Sequence, residues 1–160
     1  MTSTNLRLTD WEHRLHVLWA WRKRRHVPGG GRDDVATNCA VKDGCAVTLR
    51  AICLLIGVKC NFRDKTLSSG PSRLQDLLKC CSAGQPLVLA LGQEDQRCLL
   101  EVLYLGNRAV AHPGDGQLDH KVDVREMTVA INVVLGWLAQ KKSLWPELKN
   151  VSQDMLEPIT

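Results

Sequence analysis

Apolar residues recur along most of this chain at steps of three and four, the spacing of helices that bury one face. In the first segment Trp11, Leu15, Leu18 and Trp19 follow this step. They stand behind Thr9-Asp10-Trp11-Glu12, a capping box with Thr9 as cap and Glu12 three residues in. Pro28-Gly29-Gly30-Gly31 ends the segment, so the pattern predicts a helix over 10–26 and a joint too short to separate two domains. A second stripe, Val35, Cys39, Lys42, Ala46, Leu49, Cys53 and Ile56, predicts a helix from Asp33 to Ile56 with Gly57 just past its end. Asp33-Asp34 suit the start of that helix as cap and dipole partner. Lys59–Gly70 is polar and reads as an irregular connection, and Pro71 opens a shorter helix to Cys81, closed by Gly84.

Residues 86–91 fit either a helical turn or a short buried strand. Leu99, Leu100, Val102, Leu103 and Leu105 predict an apolar helix running to Ala111, where His112-Pro113 must stop it. Asp123, with Glu126 three residues on, opens a last helix over 124–142 that buries Met127, Ile131, Val134, Leu135 and Leu138. From Ser143 the chain loses its period and reads as an irregular arm carrying Trp145-Pro146. Four to five helices and no convincing strand predict an all-α fold. The expectation is one compact helical bundle over 1–160, with 143–160 as a C-terminal arm.

Composition agrees with that picture. A chain of 160 residues, 44% hydrophobic and 24% charged, can bury a sizeable core, which excludes disorder. No window approaches 18 consecutive apolar residues, and MTSTNLRLTD lacks the apolar stretch of a secretory signal, so a cytoplasmic protein without a membrane span is expected. Seven cysteines, an odd number, fit reduced thiols better than a disulfide framework. None forms a C-x2-C pair, and His13 and His16 share a helical face without an evident third ligand, so neither a metal nor a cofactor is expected. Phosphate-binding glycine loops and HExxH are absent, which excludes the common nucleotide hydrolases and zinc proteases.

The net charge of +4 is unevenly distributed. Residues 1–32 hold seven Lys/Arg against Asp10 and Glu12, and the cluster Arg22, Lys23, Arg24, Arg25 ends the first helix. Such a cluster can bind phosphates, and it equally suits a helix C-terminus, whose dipole favours cations. Lys42 interrupts an apolar stripe, with Asn38 and Asp43 nearby. An unpaired lysine is costly to bury, so Lys42 either binds a phosphate or pairs with an aspartate across helices.

The most suggestive group is Asn107-Arg108-Ala109-Val110-Ala111-His112. On a 3.6-residue helix Arg108 and His112 share a face. A guanidinium can hold a phosphate with two hydrogen bonds, and an imidazole can move a proton near neutral pH. Together they can let a ribose 2′-hydroxyl attack the adjacent phosphate. The plain alternative has His112 satisfying helix-end carbonyls while Arg108 pairs with Glu101 or Asp115. His120 follows in the next loop and can approach either arrangement.

The run Leu103-Tyr104-Leu105-Gly106-Asn107-Arg108-Ala109-Val110-Ala111-His112-Pro113 resembles the signature of HEPN domains, compact helical bundles marked by an arginine and then a histidine on a late helix. The spacer of three residues is shorter than that family's usual one, and Asn107 precedes the arginine instead of following it. The resemblance implies a metal-independent ribonuclease acting on RNA, often a toxin or antiviral effector. It also implies a site assembled across a homodimer and, in such systems, a protein partner such as an antitoxin or sensor. Arg108 then binds the scissile phosphate, His112 is the general acid/base and Asn107 orients them, with Lys42 and Arg22, Lys23, Arg24 and Arg25 as further RNA-binding residues. Two other readings stand beside it. One is a non-catalytic helical interaction module of a prokaryotic defence or regulatory system, using helix 99–111 or 127–138. The other is a nucleic-acid-binding regulator using residues 22–25.

Overall fold

The structure, a computed structural model, describes residues 8–25, 30–70, 91–110 and 121–160. Among them four helices and one small hairpin succeed one another: α1 (Leu8–Arg24), α2 (Arg32–Leu55), β1 (Val58–Asn61), β2 (Thr66–Ser69), α3 (Gln93–Tyr104) and α4 (Val124–Lys141). The fold is helical, as the periodicity predicts. The expected helix over 71–81 and the ambiguous stretch 86–90 lie outside the described residues.

Each helix contributes one apolar stripe to a single core. From α1 come Trp11, Leu15, Leu18 and Trp21, from α2 Ala46, Leu49, Ile52 and Cys53, from α3 Leu99, Val102 and Leu103, and from α4 Met127, Ile131, Val134, Leu135 and Leu138. Trp21 takes the place expected of Trp19, because its indole N–H reaches the Thr128 hydroxyl of α4 at 3.0 Å. Trp19 is left half-buried beneath the Lys23 ammonium, 5.0 Å from the ring centre. The first helix begins at Leu8, so Thr9 falls inside its first turn and not at the cap.

Only the second half of the α2 stripe is buried. Ala46, Leu49, Cys53 and Ile56 are in the core, whereas Val35 is 49% exposed and Cys39 is exposed. The predicted stop holds: Gly57 adopts φ 80°, a left-handed conformation that favours glycine, and its N–H bonds back to the Leu54 carbonyl at 3.4 Å. At α4 the predicted start also holds. The Asp123 carboxylate accepts from the Glu126 N–H at 2.7 Å, and the Glu126 carboxylate accepts from the Asp123 N–H at 3.1 Å.

The connection after α2 is not irregular. Val58–Asn61 pairs antiparallel with Thr66–Ser69, Val58 opposite Ser69 and Asn61 opposite Thr66. The turn is built by Asn61, whose side-chain oxygen accepts from the N–H groups of Arg63 (3.1 Å) and Asp64 (3.2 Å), with Lys65 at φ 51° closing it. The arm from Ser143 has two short 3-10 turns, Pro146–Leu148 and Gln153–Leu156. It docks on α1 and α4 through Trp145, Leu148, Val151, Leu156 and Ile159, all buried.

Candidate functional site

The segment carrying Asn107 and Arg108 is not ordinary α-helix. After Tyr104 the coil of α3 widens into a π turn, Leu105–Val110. The i→i+5 winding of such a turn departs from the plain 3.6-residue helix predicted over this stretch. The turn is pressed against the middle of α2 at Gly106. A Cβ there would lie 2.5 Å from the Ala46 carbonyl oxygen, 2.8 Å from its carbon and 3.1 Å from the Val47 nitrogen. Backbone therefore meets backbone, and only glycine fits. Asn107, next in the chain, is 8% exposed. The Arg108 side chain and all of His112 and His120 lie outside the described residues.

Lys42 stands one turn before Ala46 on α2 and hence beside the same crossing. It is half-buried, and its ammonium donates to the Val122 carbonyl at 3.4 Å, just ahead of α4. Asp43 is half-buried on the same turn. Asn38 is one further turn back, and its side-chain oxygen accepts from the Arg24 guanidinium at 3.1 Å. From Asn38 to Ala46 is eight residues, about 12 Å of helix. The structure thus strings Arg24, Lys42 and the π turn along one helix.

The basic end of α1 is tied into the molecule. Arg22 donates to the carbonyls of Asp154 (3.4 Å), Glu157 and Pro158 (3.3 Å) in the arm. Arg25 donates to the backbone oxygen of Thr160 and to the Arg22 carbonyl at 2.5 Å. Arg24 also approaches the Asp34 carboxylate at 3.4 Å. Lys23 lies over Trp19. Arg22 and Arg25 therefore face the arm, away from the row that Arg24 begins on α2.

Sequence reasoning passed over Gly106 and the Val122 carbonyl. The run of small residues around Arg108 was a usable signal for the first, since small residues permit close approach. Among the described residues no group of three or more His, Cys, Asp or Glu can hold a metal ion. His13 and His16 are both exposed on α1. Also among the described residues, no helix is long and apolar enough to cross a membrane. No protein-family model matches the chain, and neither does any curated protein or solved structure.

Proposed function

We propose that this helical bundle binds and cleaves RNA at the π turn. Arg108 holds the scissile phosphate, His112 moves the proton between the 2′-hydroxyl and the leaving oxygen, and Asn107 orients the pair. The observation that supports this most is the Gly106–Ala46 contact. It brings the Asn107-Arg108 backbone beside the turn of α2 that carries Lys42, and Arg24 of α1 reaches Asn38 one turn farther back along α2. Cations on successive turns of one helix suit a phosphodiester backbone, and π turns recur at functional sites. In this reading Lys42 contacts a neighbouring phosphate, while Arg22, Lys23 and Arg25 contribute only at the periphery. The protein acts in the cytoplasm and, as the HEPN resemblance implies, as a homodimer; a toxin or defence role with an antitoxin or sensor as partner follows from that resemblance alone.

The test is RNA cleavage in excess EDTA. Wild-type protein leaves cyclic-phosphate ends, and Arg108→Ala and His112→Ala each abolish cleavage with helicity unchanged. Full activity in His112→Ala refutes the assignment. The burial of Asn107 favours a second reading, a non-catalytic helical interaction module. Its signature is a folded protein that cuts no RNA, in which His112→Ala alters only stability or partner binding.

A further inference from the structure

Outside the π turn, one small cavity combines two groups whose chemistry is otherwise unused. It has a volume of about 90 Å³ and lies between the end of α2, the hairpin and α3. Its wall includes Arg50, Cys53, Val58, Cys60, Phe62 and Leu103. Two thiols on different elements therefore face one space. Cys53 is 1% exposed and Cys60 is half-buried. Both are free thiols. The other two buried cysteines each have an acceptor, Cys45 in the Val17 carbonyl at 3.3 Å and Cys98 in the Glu94 carboxylate at 3.8 Å. Cys53 and Cys60 donate no hydrogen bond among the described residues.

We propose that Cys53 and Cys60 together bind one soft d10 cation of the Cu(I) class, with Arg50 offsetting the charge of the bis-thiolate. The donor set selects this class. Zinc requires four ligands in a closed site, and two thiols with apolar neighbours supply only half of them. Magnesium and calcium require oxygen ligands. Thiolate is the ligand that soft cations prefer, and Cu(I) is content with few donors. Binding replaces two S–H bonds by two S–metal bonds and releases two protons to solvent, with no change of oxidation state. Both thiols are free in the structure, so no disulfide joins the pair.

The site uses none of the residues assigned to RNA, so the two proposals fail or stand separately. Reduced full-length protein is offered one equivalent of Cu(I) under anaerobic conditions against bathocuproine disulfonate, a coloured competing chelator. Wild-type protein withholds the ion. Cys53→Ser and Cys60→Ser each weaken retention by more than about 100-fold, and Cys39→Ser, at an exposed thiol, leaves it unchanged. Retention by Cys60→Ser overturns the proposal. So does equal loss in Cys39→Ser. Cys60 is only half-buried and tolerates serine, so that variant decides the matter if Cys53→Ser fails to fold.

Discussion

Replacing Gly106 by alanine is the sharpest probe of the α2–π turn contact. Gly106 does not adopt a positive φ, so alanine is conformationally acceptable and the cost is purely steric. The new methyl would start 2.5 Å from the Ala46 carbonyl oxygen and 2.8 Å from its carbon. Neither atom is the end of a flexible side chain. The two backbones must part by about 1 Å before the contact becomes ordinary, across a close-packed core. Overpacking of this kind costs roughly 1–3 kcal/mol, and rigid backbone on both sides argues for the upper half of that range. Replacing glycine returns about 0.5–1 kcal/mol through lost freedom of the unfolded chain. The net expectation is destabilisation by about 2 kcal/mol, or a Tm lower by roughly 4–8 °C for a chain of this size. Equilibrium urea unfolding measures it, with Gly136→Ala in α4 as control. A Cβ at Gly136 meets nothing within 4 Å, so that variant is neutral or slightly stabilised. Equal stability of the two variants would refute the backbone contact. Loss of RNA cleavage in Gly106→Ala, under conditions where it is still folded, would tie that contact to activity.

Other consequences are equally open to measurement. Arg22→Ala removes charge-assisted bonds to three arm carbonyls, so hydrogen exchange over 152–160 accelerates and stability falls by about 1–3 kcal/mol; unchanged protection there would mean that apolar docking alone holds the arm. Asp123→Ala breaks the reciprocal cap of α4 and costs about 1 kcal/mol in thermal or urea unfolding. The carboxyl of Glu94 is held down at about 2 by hydrogen bonds from Arg97 and then Arg125. A lowered folded value means that the contribution is complete above about 4.5 and is lost as pH falls towards 2. An NMR titration follows the carboxyl directly, and Arg97→Gln moves its midpoint back up; a wild-type midpoint at the ordinary value refutes the network.

What could be read from the sequence was what short-range chemistry decides. The end of α2 at Gly57 and the start of α4 at Asp123 depend on groups within three residues of each other, so the letters alone reveal them. The stripe of α4 is legible because every expected member lies on the buried side. The hairpin was hidden by its size: four residues a strand, five of the eight polar, and a turn made by Asn61 and Lys65 in place of an Asn-Gly pair. The choice of Trp21 over Trp19 rests on Thr128, 107 positions away. The widening of α3 follows no local rule that we can name, since it occurs where Gly106 meets Ala46, sixty positions earlier. For the basic cluster, local reasoning supplied the charge, but the acceptors of Arg22 stand more than 130 residues downstream.

That long reach has a consequence for how the molecule is made. The arm covers α1, and the indole of Trp21 awaits Thr128. During synthesis the first helix can pair with α2 early, yet part of its apolar surface must stay open until residues 128–159 have emerged. The core therefore stays unfinished while more than a hundred residues after Trp21 are made, an interval when nascent helices are open to chaperones or to wrong partners.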